Sequence, residues 1–183
     1  TFAMFYPQSR FFHFWQIVTH MFMHGGWAHI FFNMYALLMF GSIVERSLGS
    51  KKYLVYYFIT GLGAAILHTG VQYLQARYFM LSDASTDIQA YYNLLRTPTL
   101  GASGSIFGLL VAFAMLYPDS TLTLIFPPIS MSAKWMVIIY IVIELLLGMN
   151  GVADGVAHFA HLGGALFGWL LLTWWKKTGR FYE

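Results

Sequence analysis

The stretch GASGSIFG, residues 101–108, decides the fold of this chain together with a second stretch, AHLGGALFG, at residues 160–168. Both place a small residue at every fourth position: Gly104, Gly108 and Ala112 in and just after the first, and Ala160, Gly164 and Gly168 in the second. Residues four apart share one face of a helix. Small-residue faces let two helices approach closely in lipid. We therefore predict that these two helices pack face to face.

The rest of the sequence is apolar enough to lie largely in a membrane. Hydrophobic residues make up 58% of the 183 residues and charged residues only 9%, whereas an ordinary soluble domain has about 25% charged residues. Runs without Asp, Glu, Lys or Arg cover 11–44, 53–76, 97–118 and 155–175. Each is long enough for a membrane span of about 20 residues. The sequence thus predicts an all-α, polytopic membrane helix bundle.

The predicted elements form a single domain over residues 1–183. Membrane helices are expected at about 27–46, 53–75, 102–117, 135–149 and 156–175. Residues 1–26 are predicted to form an outer interfacial loop, 27–175 the helical core and 176–183 a cytoplasmic tail. The stretch 77–100 is expected to dip into the protein, which implies a water-accessible cavity at membrane depth.

Basic residues predict the orientation of the bundle. Seven of them lie at helix ends that we assign to the cytoplasm: Arg46, Lys51, Lys52, Lys134, Lys176, Lys177 and Arg180. Only Arg10, Arg77 and Arg96 fall on the other side. We expect a multi-pass protein of a bacterial inner membrane, with its C-terminus in the cytoplasm. Because the basic residues form no stripe, the net charge of +3 reflects topology, and nucleic acid is not an expected partner.

Two polar residues adjoin the small-residue faces. Ser103 follows the loop signals Pro98 and Gly101, so we predict that it occupies the first turn of its helix. Unpaired backbone N–H groups cluster there and can face a developing negative charge. His161 adjoins the other face at a comparable depth, so packing would bring its imidazole within hydrogen-bond reach of the hydroxyl, as an activated serine requires. Phe107 would pack against that imidazole.

A second polar cluster lies in THMFMHGGWAHIFFN, residues 19–33. His29 and Asn33 share one helix face and can both donate hydrogen bonds, which suits an oxyanion hole beside Ser103. Taken alone, this cluster is as consistent with a polar patch that joins helices. A metal site built from its histidines is the weaker interpretation, because the sequence has no HExxH motif. We expect neither a metal nor a cofactor.

Three motifs together resemble the rhomboid family of intramembrane serine proteases. They are His24, His29 and Asn33 in HxxxxHxxxN, Gly101-Ala102-Ser103-Gly104 in GxSG, and His161, Gly164 and Gly168 in AHxxGxxxG. Trp15-Gln16 also resembles the Trp-Arg of the family's first loop, with Gln in place of Arg. The resemblance extends over about residues 12–175. The family's basic core has six helices and five are visible here, so we expect that a preceding first helix is missing.

The resemblance implies an assignment of roles. Ser103 would be the nucleophile and His161 the general base, with His29, Asn33 and the Ser103 backbone N–H as the oxyanion hole. Supporting positions would be Phe107, Gly101, Gly104 and Gly164. The implied reaction is hydrolysis of peptide bonds in or near transmembrane segments of membrane proteins within the lipid bilayer, without a cofactor. His161 is preferred to His158 as the base because only His161 has glycines at the family's offsets.

Other functions stay open at this point. A non-catalytic rhomboid-like protein would bind membrane clients, but such relatives usually lose the Ser or the His. A transporter or channel would be expected to show repeats, and the sequence has none. The sequence predicts neither the particular substrate nor the oligomeric state.

Three further polar residues have individual interpretations. Glu144 interrupts a predicted span and could support the dyad as a third member. We favour a structural hydrogen bond or a protonated carboxyl, because the family works without an acid. Asp154 is predicted to be a solvated loop residue and Ser105 a packing residue.

Overall fold

Helices make up most of the structure, a computed structural model that describes residues 1–81, 85–124, 127–150 and 157–181, without the side chains of residues 85 and 86. They are α1 (Gln16–Thr19), α2 (Trp27–Ala36), α3 (Ser42–Leu48), α4 (Ser50–Leu81), α5 (Ser85–Arg96), α6 (Ser103–Leu116), α7 (Ala133–Met149) and α8 (His158–Lys177). A 3₁₀ turn (His20–Phe22) follows α1, and a π-helical turn (Leu37–Gly41) joins α2 to α3. Two short strands, β1 (Thr121–Thr123) and β2 (Ser130–Ser132), pair antiparallel.

Several helix ends are set by glycine and proline. Gly49 has a φ of +76° and donates its N–H to the Glu45 carbonyl at 2.7 Å, which ends α3. Pro118 cannot continue α6, since it has no N–H to donate. Gly179, with a φ of +74°, follows α8. Helices α3, α6 and α8 therefore end within two residues of a glycine or proline that stops them.

The structure differs from the prediction between residues 77 and 100. Helix α4 continues to Leu81 instead of ending near residue 75, and α5 forms within the stretch 77–100, for which the sequence predicts a dip into the protein but no helix. Helix α5 is amphipathic and contains Asp87 and Arg96, so a search for uncharged apolar runs does not find it. The β1–β2 hairpin is a second correction, to the all-α class: its short strands pair through the backbone and carry exposed Ser and Thr side chains.

Helices α4, α6 and α8 meet through small residues at the centre of the structure. A Cβ added to Gly164 would collide with the backbone of Gly104, and one added to Gly168 would lie 3.0 Å from the Gly108 Cα. The two small-residue faces therefore contact each other as predicted. A Cβ added to Gly104 would also lie 2.5 Å from the Ala64 Cβ on α4. The part played by α4 is not evident from its sequence.

Residues 1–26 carry little regular structure but are tightly hydrogen-bonded. Gln16 is fully buried, with 0% of its surface exposed. Its side chain accepts hydrogen bonds from the backbone N–H groups of Phe5 and His13 and donates to the carbonyls of Thr1 and Phe11. Met4 and Thr99 exchange two backbone hydrogen bonds, of 2.9 and 2.7 Å. This segment is thus fixed to the loop that precedes α6.

Basic side chains gather at one end of the helices. Lys52, at the start of α4, donates to the Arg180 carbonyl at 2.7 Å, and Lys176, near the end of α8, donates to the Met115 carbonyl at 3.1 Å. The first turns of α6 and α8 lie at the opposite end. By length and composition, two helical segments in the described part of the chain can cross a membrane, Trp27–Leu48 and Ser50–Leu81.

Candidate active site

Ser103 and His161 lie in contact across the junction of α6 and α8. Ser103 is the first residue of α6, and His161 lies in the first turn of α8. The Ser103 Oγ is 2.8 Å from the His161 Nε2. A serine hydroxyl within hydrogen-bond reach of an imidazole nitrogen can transfer its proton to that nitrogen as it attacks an electrophile. The closely packed helices therefore bring a serine hydroxyl and an imidazole into hydrogen-bond contact.

Phe107 holds the plane of the imidazole. Its ring stacks on the His161 ring, with centroids 4.4 Å apart and an interplanar angle of 6°. Phe107 lies one helical turn after Ser103, so a single helix positions both the hydroxyl and the surface that supports the base. The stacking restricts rotation of the imidazole and keeps its Nε2 directed at the serine.

Gly101 lies where the serine, His29 and the preceding loop meet. Its φ of +127° is a conformation that L side chains rarely adopt. A Cβ added here would lie 2.9 Å from the His29 Nε2 and 3.5 Å from the Ser103 Oγ. The Gly101 N–H donates to the His20 carbonyl at 2.9 Å. Glycine is therefore required by the backbone conformation and by the closeness of His29.

His29 and Asn33 supply N–H groups to the same region. The His29 Nδ1 accepts a hydrogen bond from the Gly25 N–H at 3.2 Å. In the neutral ring the proton must then lie on Nε2, the atom nearest Gly101. Asn33 is 6% exposed and donates one N–H to the His29 carbonyl at 3.0 Å. Its amide carries a second N–H, so both side chains carry donors and line the same cavity as Ser103.

A cavity of about 1090 Å³ contains this cluster. Ser103, His161, His29, Asn33 and Phe107 all line it. Residues 97–100, at the end of the stretch that is predicted to dip into the protein, line it as well. Gly101, Gly104 and Gly164 are not among the lining residues, and the contact of Gly104 with Gly164 sets the distance between α6 and α8.

Two ionisable residues that the sequence motifs do not assign to the site lie next to it: Glu144 contacts His161, and His158 contacts Glu144. The Glu144 Oε2, on α7, is 2.7 Å from the His158 Nδ1 and 3.0 Å from the His161 Nδ1. His158 is thus a partner of the acid, which agrees with choosing His161 as the base. In the sequence, Glu144 can be identified as a lone carboxyl within an apolar helix, and His158 as one of two histidines three residues apart.

The remaining polar candidates have separate positions. The Ser105 hydroxyl is buried and donates to the Tyr57 carbonyl at 2.9 Å, as expected of a packing residue. His68, which no motif indicates, lines the cavity and places its Nε2 2.9 Å from the Thr99 Oγ1. Asp154 lies outside the described residues. Across the described ranges, no three His, Cys, Asp or Glu side chains are arranged to hold a metal ion.

Comparison with known proteins gives matches over most of the chain. Residues 12–177 match the family model described as Rhomboid domain. Rhomboid protease AarA of Providencia stuartii is 31% identical over 159 residues, which cover 86% of this chain and 54% of that protein. RHOMBOID-like protein 4 of Arabidopsis thaliana is 30% identical over 157 residues, which cover 86% of this chain and 33% of that protein.

A third relative is Rhomboid protease GluP of Bacillus subtilis, 28% identical over 160 residues, which cover 84% of this chain and 24% of that protein. The chain therefore spans about half or less of the length of these relatives. The resemblance drawn from the three motifs is confirmed by the family match, which includes every residue of the serine–histidine cluster. The chain belongs to the rhomboid family.

Proposed function

We propose that this protein is an intramembrane serine endopeptidase. It hydrolyses peptide bonds in or near transmembrane segments of membrane proteins through a dyad of Ser103 and His161. The observation that carries this proposal is the 2.8 Å contact between the Ser103 Oγ and the His161 Nε2 inside an open cavity. Similarity to proteins named as rhomboid proteases supports the same class of activity.

The geometry is suited to acyl transfer. His161 takes the Ser103 proton on Nε2 while Oγ forms a bond to the peptide carbonyl carbon. The negative charge on the carbonyl oxygen is stabilised by the N–H groups of His29, Asn33 and the Ser103 backbone. His161 then gives its proton to the leaving amine as the C–N bond breaks. Water, deprotonated by His161, releases the acyl group and restores the hydroxyl.

The cavity also limits what the substrate can be. Its volume of about 1090 Å³ is enough for a few residues of extended peptide together with water. A transmembrane helix must lose its helical hydrogen bonds locally before its backbone can reach Ser103. We therefore expect small, helix-destabilising residues near the cleaved bond.

The proposed arrangement in the membrane follows from the two ends of the helices. The end that carries Lys52, Lys176 and Arg180 faces the cytoplasm, by the positive-inside rule. The opposite end, with the cavity, faces the outer side. We propose a single domain with five spans in this chain, in a bacterial inner membrane, with residues 1–26 at the outer interface and the C-terminus in the cytoplasm. Family membership supports an integral membrane location.

Labelling with a fluorophosphonate tests the dyad. The full-length protein in liposomes is treated with the probe, and the labelled residue is identified by mass spectrometry. Labelling is expected on Ser103 and is expected to disappear in Ser103→Ala and in His161→Ala. Cleavage of a reporter transmembrane protein should fall by about 1,000-fold or more in both variants.

Ser105→Ala is the matched control, because it removes a neighbouring hydroxyl that bonds to the Tyr57 carbonyl and leaves the dyad intact. It should label like the unchanged protein. An unlabelled Ser103 in a folded, full-length protein would contradict the dyad. It would favour a protein that binds membrane clients without cleaving them.

A further inference from the structure

We infer that Glu144 is a positioning residue for His161, so that the site works with an acid behind the base. This inference rests on the proposed function, because it assigns Glu144 a role through the dyad. The carboxylate reaches His161 from a different helix, α7, on the side of the ring away from Ser103. The imidazole on α8 therefore lies between the serine hydroxyl on α6 and the carboxylate on α7.

The three groups are close enough to interact directly. The His161 Nε2 is 2.8 Å from the Ser103 Oγ, and the His161 Nδ1 is 3.0 Å from the Glu144 Oε2. The side chains are mostly buried, at 11% exposure for His161 and 14% for Glu144. The contact to Nδ1 is short but not aligned as a hydrogen bond, since Nδ1 has no partner of good geometry. Such contacts often align only when substrate is bound.

The chemistry of a serine–histidine pair gives this contact a function. His161 accepts the serine proton only if Nε2 is unprotonated, so the neutral ring must carry its proton on Nδ1. A carboxylate beside Nδ1 favours that tautomer and attracts the imidazolium that forms when Ser103 attacks. In a mostly buried site this attraction is stronger than in water.

His158 holds the carboxylate in place. The same oxygen, Oε2 of Glu144, lies 2.7 Å from the His158 Nδ1, within a hydrogen bond. His158 precedes His161 by three residues, so both imidazoles lie on the same face of α8. Packed between α7 and α8, Glu144 is fixed by one histidine and faces the other.

Glu144 is the one acid among the described residues that line the cavity. The other ionisable side chains that line it with His161 are His29 from α2, His68 from α4 and Tyr140 from α7, and His158 approaches from α8 itself. None of these side chains is a carboxylate, and a histidine can offer His161 no negative charge. Among the described residues that line the cavity, only Glu144 can therefore place a carboxylate beside the His161 imidazolium.

The test compares Glu144→Gln, Glu144→Asp and the unchanged protein in liposomes. The Gln side chain keeps the size and the oxygen that accepts from His158, but it loses the charge. The rate of fluorophosphonate labelling of Ser103 at neutral pH is expected to fall at least about tenfold in Glu144→Gln. The acid limb of its pH–rate profile should move to lower pH, because the imidazolium loses its carboxylate. Glu144→Asp should recover part of the rate.

Asp119→Asn is the control, since it removes a carboxyl whose side chain is 81% exposed and does not line the cavity. It should label at the unchanged rate. A merely structural Glu144 would lower thermal stability while each folded molecule kept the same rate and pH profile, and that result would overturn the inference. Labelling absent from the unchanged protein would instead contradict the proposed function.

A second measurement does not need a variant at Glu144. In ¹⁵N-histidine-labelled Ser103→Ala protein, NMR reports which nitrogen of His161 carries the proton, with His161→Gln identifying its signals. A proton on Nδ1 is expected. A proton on Nε2 would overturn the inference even if Glu144→Gln failed to fold.

Discussion

Gly101 is constrained both by its backbone conformation and by the His29 side chain next to it. Its φ of +127° and its closeness to the His29 Nε2 both depend on the absence of a side chain, and its N–H also bonds to the His20 carbonyl. Strain of this kind is kept only where the surroundings hold it in place. Gly101 thus helps to fix the loop before α6, and the proposed oxyanion donor His29 lies against it.

Gly101→Ala is expected to damage the site and the fold together. The new Cβ would meet the His29 imidazole, and the backbone would be strained, so the free energy of unfolding should fall by about 1–3 kcal/mol. Labelling of Ser103 should be lost or strongly slowed. Gly26→Ala is the control, because Gly26 has an ordinary extended backbone and nothing within 4 Å of an added Cβ. Equal labelling of both variants would contradict this role of Gly101.

The elements that matter most are α6 and α8, which touch at Gly104 and Gly164 with no room for a side chain. This contact, rather than a loop, sets the distance between hydroxyl and imidazole. Each helix carries one member of the dyad in its first turn. Any increase in the separation of the helices is therefore transmitted directly to the Ser103–His161 hydrogen bond.

Gly164→Ala is expected to push the two helices apart. The added methyl group would collide with the Gly104 backbone, so we expect destabilisation of about 1–3 kcal/mol and slower labelling of Ser103. Gly70→Ala, within α4, is the matched control because its Cβ meets nothing within 4 Å. Alanine has the higher helix propensity, so this control should be as stable or up to about 1 kcal/mol more stable. Thermal unfolding and probe kinetics check both, and an unaffected Gly164→Ala would contradict the close packing.

At the scale of the whole molecule, the N-terminal segment is tied to the helices through Met4, His20 and the loop before α6. His20 is 4% exposed, and burial lowers its pKa below the ordinary value of about 6.5. A hydrogen bond between its Nδ1 and the Gln16 carbonyl opposes part of this effect. The folded protein thus holds His20 neutral at a pH where the unfolded chain begins to bind a proton.

Stability is therefore expected to decrease at acidic pH. Below about pH 6.5 the unfolded chain binds more protons at His20 than the folded protein, so the free energy of unfolding falls as the pH falls. Thermal unfolding at pH 7.5 and 5.5 measures this loss, which should be smaller in His20→Gln. His13→Gln, an exposed histidine of the same segment, should keep the loss of the unchanged protein. The same loss in all three proteins would exclude His20 as its source.

Much of this arrangement can be read from residue spacing, and some of it cannot. Fourfold repetition of small residues predicts the α6–α8 contact, and the apolar runs predict the main helices. Helix α5 is not predicted from the sequence, because its polar residues interrupt the hydrophobic pattern. The sequence leaves open whether Glu144 reaches His161, because this depends on the rotation of α7, which an apolar helix with one carboxyl does not specify.

The contact of Gly104 with Gly164 gives the serine a use beyond its proposed catalytic role. Ser103 and His161 belong to different helices and become neighbours only after those helices have docked. Chemical reactivity of this hydroxyl is therefore a reporter of tertiary assembly. In a mixed population of nascent, misassembled and mature molecules, a fluorophosphonate tag would mark the mature fraction, turning an activity probe into a folding assay that works in native membranes.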